Sequence, residues 1–419
     1  MSVEAAAPVA QSIIGFIVLH GLAWALGERG RVAWRIVAPG MALTVLLALA
    51  AFHLPGMSLV FAAFNEAASL LDRATGEGTA FVFGYLGGAP LPFESREPGA
   101  GFVLAFRALP LALVVSALSS LLFHWGILQA VVRGFSRLLE AVMGVGGAVG
   151  LSAAANVFVG MVEAPLVVRP YIAAMNRSEL LVMMTCGMAT IAGTVMVIYA
   201  SLLGRILPDA LAHILIASVI STPAAIVVAT LMVPPQGPAT GGNRLPGAES
   251  RSAIDAIARG TQDGAALLIG IVSMLIVLIA LVWLVNALIG LAPPVAGVPL
   301  SLQRMLGWVM APLVWLAGVP WQEATVAGSL MGTKTVLNEF IAYVDLANTA
   351  PADLGERSRL IMVYALCGFA NVGSLGIMVG GLVGMAPTRR DDIVDLAPRT
   401  VVAGTLATLI AGCVAGLLA

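Results

Sequence analysis

Residues 151–170, L-S-A-A-A-N-V-F-V-G-M-V-E-A-P-L-V-V-R-P, set the terms on which this chain can fold. The stretch is apolar enough to enter a bilayer, yet Gly160 and Pro165 interrupt it and Asn156, Glu163 and Arg169 punctuate it. A carboxylate at membrane depth is costly, so it pairs, faces a cavity or binds something. Irregular backbone at that depth survives only where protein or enclosed water shields it. Discontinuous helices of this kind are where secondary transporters hold ions and substrates. Residues 319–340, V-P-W-Q-E-A-T-V-A-G-S-L-M-G-T-K-T-V-L-N-E-F, form a second broken stretch and set Glu339 in a comparable position.

The surrounding sequence explains why these two stretches must lie within a membrane. The chain is 60% hydrophobic and 10% charged, with a mean hydropathy of +1.00, whereas a soluble domain carries roughly 25% charge. Eight crossings are read at residues 10–27, 36–52, 102–123, 180–204, 211–233, 265–291, 360–385 and 401–419, each near the ~20 residues a bilayer requires. Residues 57–101 read as an interfacial helix and loops, and 234–251 as a polar linker. Leu128, Val131, Val132, Phe135, Leu138, Leu139 and Val142 share one helical face, opposite Arg133, Arg137 and Glu140. That pattern suits a helix lying in the cytoplasmic interface.

Several function classes fall away on composition. A net charge of −1 and the absence of a basic block leave nothing to track nucleic-acid phosphates. Cys186, Cys367 and Cys413 lie in apolar stretches, which argues against a disulfide framework. His20, His53, His124 and His213 have no metal-ligand spacing. Residues 1–10 carry no basic cluster, so no cleavable leader is expected. An intramembrane aspartyl hydrolase would need two facing carboxylates, and here the acids sit on dissimilar hairpins beside amides. A channel would show a filter ring or a charged pore row, and neither is visible.

Treating both broken stretches as re-entrant hairpins, with an outside N-terminus, puts Arg29–Arg35, Arg133–Arg137, Arg244–Arg259 and Arg389–Arg399 inside. The outer connections hold only scattered arginines, notably Arg73, Arg96 and Arg205. This satisfies the positive-inside rule. An internal repeat agrees: C-G-M-A-T-I-A-G at 186–193 matches C-G-F-A-N-V-G-S at 367–374, 181 residues on. Each copy follows a broken stretch and opens a crossing, and the two run oppositely through the membrane, as in the inverted repeats of transporters. The expected fold is therefore an all-α polytopic membrane protein with about eight transmembrane helices, two re-entrant hairpins and an inverted repeat.

The motifs S-A-A-A-N-V-F-V-G-M-V-E-A-P-L-V-V-R-P, W-Q-E-A-T-V-A-G, T-K-T-V-L-N-E-F and C-G-F-A-N-V-G-S, in this order and spacing, resemble the concentrative nucleoside transporters. The resemblance covers the chain from about Phe102 onward and, more weakly, the residues before it. It implies a scaffold and a mobile transport domain: residues 1–145 as N-terminal scaffold and interfacial helices, 146–233 as the first hairpin and repeat, 234–298 as linker and long scaffold helix, and 299–419 as the second hairpin and repeat. It further implies a homotrimer in a bacterial cytoplasmic (inner) membrane, importing nucleosides such as uridine, cytidine or adenosine with sodium by an elevator-like motion. Proton coupling is the alternative, and no organic cofactor is expected.

Carried onto this sequence, the resemblance assigns Glu339, Asn371 and Ser374 to the ribose hydroxyls, Phe369 to packing near the nucleoside, and Val195 to the base side. Met161, Val162 and Glu163 occupy the hairpin tip that reads the base. Sodium would be held by Asn156 and Thr190 side chains with the carbonyls of Val159 and Ile191, an all-oxygen set suited to a hard cation. Many relatives carry Gln then Thr or Ser where this chain has Met161 and Val162, which leaves base preference open. Lys334, the only lysine, lies in the second hairpin and reads equally as a partner for backbone carbonyls or as a substrate contact.

Overall fold

The computed structural model describes residues 3–94, 102–161, 163–204, 206–242, 250–295 and 297–418. Arg96, Val162, Arg205 and Arg244, all used above, lie outside the described residues. Among the described residues the regular structure is helical, apart from an isolated antiparallel bridge between Val295 and Val298.

The N-terminal third comprises α1 (Val3–Leu26), α2 (Trp34–His53), α3 (Met57–Phe83), the short α4 (Leu104–Arg107), α5 (Leu111–His124) and α6 (Ile127–Met143). The first repeat follows as α7 (Gly147–Asn156), α8 (Glu163–Val167), α9 (Arg169–Ile172), α10 (Arg177–Ala189), α11 (Gly193–Leu203) and α12 (Ala210–Met232). The long α13 (Ala253–Ile289) leads to α14 (Leu302–Leu316). The second repeat then runs through α15 (Trp321–Val336), α16 (Glu339–Asn348), α17 (Glu356–Leu366), α18 (Val372–Met385) and α19 (Arg390–Leu418). The 181-residue spacing carries α10, α11 and α12 onto α17, α18 and α19.

Two sequence expectations need correction. First, the crossings read as continuous at 180–204 and 360–385 are each broken, at Thr190–Ala192 and at Cys367–Asn371. Thr190 has extended backbone (φ −122°, ψ 166°), and its hydroxyl donates back to Cys186 O at 2.9 Å. Asn371 restarts a helix as its N-cap, accepting from Ser374 N at 2.7 Å, the standard use of an Asn side chain at an orphaned helix start. The two breaks meet. A Cβ on Gly368 would stand 2.8 Å from Met188 O and 3.0 Å from the Ala189 carbonyl carbon, so only glycine lets the chains approach this closely.

Seven helical stretches among the described residues are long and apolar enough to cross a membrane, residues 177–203 counting as one across their break. The remaining stretch, 360–385, runs as the 11-residue α17 and the 14-residue α18. Second, two helices run further than the sequence reading drew them. Residues 75–83 continue α3, with the Thr75 hydroxyl donating to Leu71 O at 2.8 Å and Thr79 to Gly87 O at 2.7 Å. The span read from 265 begins at Ala253, where Ser252 caps the helix by accepting from Asp255 N at 3.2 Å. At 37 residues α13 is about 55 Å long, so its first three turns extend beyond a hydrocarbon core of about 30 Å.

Packing sorts the helices into a body and a wall. In the body α10, α12, α17 and α19 pack on one another, and α1 and α2 join them against α12 and α19. The wall is α5 against α13. Ala256, Gly260 and Gly264 form a small-residue seam on α13. A Cβ on Gly260 would lie 2.6 Å from Ser116 O, and one on Gly264 2.9 Å from Leu113 Cα. Small residues at this spacing let membrane helices approach backbone to backbone. The rest of α13 is mostly exposed, with Ile269, Ile276, Trp283 and Leu288 facing outward.

Contacts at the two ends of the bundle group the loops as charge placement predicts. At one end Arg177 pairs with Glu28, Asp392 and Asp395, Arg399 pairs with Glu28 at 2.8 Å, and His124 meets Ser250 at 2.7 Å. At the other, Arg357 donates to Gly318 O, Gly416 O, Pro8 O and the Ser12 hydroxyl, and Asn65 donates to Asp209. Each of these contacts joins segments that the hairpin topology places on the same membrane face.

Candidate functional site

A cavity of 1570 Å³ lies between the body and the wall. It exceeds the roughly 300–1,000 Å³ of common small-molecule pockets, and it combines a polar centre with an open vestibule. The first hairpin contributes Val159, Gly160, Met161 and Glu163, and α11 contributes Val195 and Tyr199. The second hairpin brings Leu337, Asn338 and Glu339, and the second break brings Phe369, Asn371 and Ser374. All the described residues assigned above to substrate therefore line one space, although they span more than half the chain; Val162 is outside the described residues.

Glu339 stands at the centre. It opens α16, where Asn338 caps the helix by accepting from Ile341 N at 3.0 Å. A carboxylate at a helix start is favoured by the exposed N–H groups there. Its Oε1 accepts from the Tyr199 hydroxyl at 2.7 Å and its Oε2 from Asn371 Nδ2 at 3.0 Å. Asn371 is simultaneously tied by Ser374 N, so Asn and carboxylate hold each other. An ionised carboxylate has about four lone-pair directions, and these two donors leave others to receive a vicinal diol from the cavity side.

Of the residues assigned to a cation, Asn156 and Thr190 meet beside the first hairpin turn. Asn156 ends α7, is fully buried, and its Oδ1 has no hydrogen-bond partner among the described residues. Its Nδ2 donates to Ser152 O at 3.0 Å, which fixes the oxygen's direction. A buried acceptor without a partner requires an explanation such as an ion or water. Thr190 lies against it, its hydroxyl within 3.3 Å of Asn156 O. Next to it, Ile191 N donates to Ser218 Oγ at 3.3 Å. Phe158 O accepts from Gly193 N at 3.1 Å, pinning the turn onto the break between α10 and α11. Val159, in that turn, also lines the cavity. The available ligands are oxygens, and no group of His, Cys, Asp and Glu among the described residues could hold a transition metal. A small hard cation fits this donor set.

Gly160 makes the turn possible. Its φ of +119° is open to glycine and strained for other residues, and a Cβ would lie 2.8 Å from Glu163 Oε2 and 3.1 Å from Ala192 Cβ.

Sequence reasoning missed two parts of the site. Tyr199 lies one turn beyond Val195 on α11, and residues four apart share a helix face, so the Val195 assignment carried the signal. Asp255, Arg259, Gln262 and Asp263 line the vestibule from α13, with Ser116, Ser119 and Ser120 of α5. Their 255–259–262–263 spacing marks one helix face, hidden because the helix was read as starting later.

Comparison with known proteins gives a consistent picture. Residues 213–416 match the family model described as Na+ dependent nucleoside transporter C-terminus, 105–206 match nucleoside recognition, and 14–86 match Na+ dependent nucleoside transporter N-terminus. An uncharacterized transporter of Haemophilus influenzae is 36% identical, over 98% of this chain and 97% of that protein. The nucleoside permease NupC of Helicobacter pylori is 33% identical, over 97% of each. The structure of CNTnw in an inward-facing substrate-bound state superposes with a TM-score of 0.88 at 35% identity, over 98% of this chain and 99% of that one.

Proposed function

The chain belongs to the Na+-dependent nucleoside transporters, the concentrative nucleoside transporter family, and on that premise we propose that it imports nucleosides by sodium-coupled symport. As a family member it is a multi-pass membrane transporter of nucleosides and not an enzyme. The observation supporting the coupling is that one turn carries residues assigned to both ligands. Asn156, with its unpartnered Oδ1, lies just before the turn, and Val159, Gly160, Met161 and Glu163 line the cavity. A cation drawing Asn156 Oδ1 and the Val159 and Ile191 carbonyls together with the Thr190 hydroxyl orders that turn, and the ordered turn completes the nucleoside pocket. Each ligand then binds better when the other is present, which is reciprocal coupling through a shared element.

In this reading Glu339, Asn371 and Ser374 take the ribose hydroxyls, Phe369 packs near the nucleoside, and Met161, Val162, Glu163 and Val195 border the base. Translocation is an elevator motion of the two hairpins and their broken helices along the wall of α5 and α13. The exposed apolar surface of α13 is the part of that wall available to lipid and to neighbouring protomers of a homotrimer. The membrane is the bacterial cytoplasmic membrane.

The deciding experiment is uptake of labelled uridine into proteoliposomes with a sodium or a proton gradient imposed separately. Accumulation under sodium that collapses when the gradient is dissipated supports the reading. Uptake that ignores sodium and follows pH replaces it with proton symport.

A further inference from the structure

Lys334 is the only lysine in the chain, and it is fully buried on α15. Its ammonium donates to Ala365 O at 2.9 Å and to the Thr408 hydroxyl at 3.1 Å. Ala365 is the penultimate residue of α17, directly before the second break. The last carbonyls of a helix lack N–H partners and carry the negative end of its dipole. A half-helix ending inside a membrane protein therefore needs a cation or donor at that point. A lone buried ammonium is itself costly, and here each group answers the other.

The repeat gives this contact a counterpart. The 181-residue spacing sets α10 over α17 and Asn156 over Leu337. At the end of α10 the first hairpin supplies Asn156, with its unpartnered amide oxygen, beside Thr190. At the end of α17 the corresponding hairpin position is the apolar Leu337, and Lys334, one turn earlier, brings a positive charge attached to the chain. The hairpin that carries Lys334 turns directly into Glu339, and the break it stabilises carries Asn371 and Ser374.

We propose that Lys334 is a tethered cation that serves the α17 break as sodium serves the α10 break, holding Glu339, Asn371 and Ser374 in binding geometry without a second ion. Lys334 is then a positioning residue: it does not line the cavity. The proposal rests on the sodium reading above, and its test separates the two. Nucleoside binding to purified protein is measured by calorimetry with uridine and adenosine across a series of sodium concentrations. The wild type is compared with Lys334→Met, Lys334→Ala, Lys334→Arg and Thr408→Val, each first checked for folding by thermal melting.

Lys334→Met is expected to bind nucleoside about tenfold more weakly at saturating sodium, with Lys334→Arg recovering part of the loss. Lys334→Ala leaves room for a free cation and is expected to show a steeper sodium dependence than the wild type. Wild-type affinity in Lys334→Met overturns the proposal. So does a loss that Lys334→Arg does not relieve, combined with an unchanged sodium slope in Lys334→Ala, because a merely space-filling lysine gives that result. Should the Lys334 variants fail to fold, Thr408→Val removes one acceptor outside the cavity; it is expected to weaken nucleoside binding by about threefold, and no change overturns the proposal. Wild-type binding indifferent to sodium overturns the assignment at Asn156 and Thr190 instead.

Discussion

The Tyr199 hydroxyl donates to Glu339 Oε1 at 2.7 Å, joining α11 of the first repeat to α16 of the second inside the protein. With Asn371 on the other carboxylate oxygen at 3.0 Å, Glu339 is aimed before substrate arrives. Preorganisation of this kind lowers the ordering cost of binding. It also means that the carboxylate proposed to bind the sugar depends on both repeats keeping their relative positions.

Removing the carboxylate charge is expected to weaken uridine binding by tenfold or more in Glu339→Gln, since hydrogen bonds to charged groups contribute roughly 1.5–3 kcal/mol. Tyr199→Phe is expected to lose several-fold, and the double variant less than the product of the two losses, because the hydroxyl acts through the carboxylate. Calorimetry with uridine and its 2′- and 3′-deoxy analogues checks this. Multiplicative losses would show that Tyr199 acts independently of Glu339.

On the cation side, Thr190→Val deletes the hydroxyl that lies 2.9 Å from Cys186 O and 3.3 Å from Asn156 O while nearly keeping the volume. The sodium concentration for half-maximal uptake is expected to rise several-fold, and thermal stability to fall by only about 1 kcal/mol. An unchanged sodium requirement in folded protein excludes the hydroxyl as a ligand.

The hairpin tip bears on base choice. Met161 lines the cavity with an adaptable, polarisable side chain, so discrimination between purines and pyrimidines is expected to be weak. Changing Met161→Gln together with Val162→Thr adds polar groups worth about 0.5–1.5 kcal/mol each. Ratios among uridine, cytidine, adenosine and inosine should then shift by several-fold while the need for ribose hydroxyls stays. Parallel shifts for all four nucleosides would show that the tip does not read the base.

Gly160→Ala puts a methyl group into a φ of +119° and within 2.8 Å of Glu163 Oε2. Backbone strain of this type costs about 1–3 kcal/mol. Because the turn is proposed to face both ligands, sodium and nucleoside affinities are expected to fall together. A loss confined to one of them would separate the two sites.

The sequence alone determined the membrane class, the two broken hairpins and the repeat, because those properties are written along the chain. Span length is set by bilayer thickness, and Asn156, Glu163 and Glu339 betray themselves by the cost of polarity at membrane depth. Tertiary structure decided where the crossing helices break and what completes the site. Gly368 and the Asn371 cap permit a break at 367–371, but such local features do not by themselves stop a helix of small residues. The breaks are held where Phe158 O accepts Gly193 N and where Gly368 admits the Met188 carbonyl, contacts made across distant segments. Tyr199 was hidden for the same reason, since its partner lies 140 residues away. The polar face at the start of α13 was missed because hydropathy reports where a helix meets lipid, whereas Ser252 capping and the vestibule decide where this one begins.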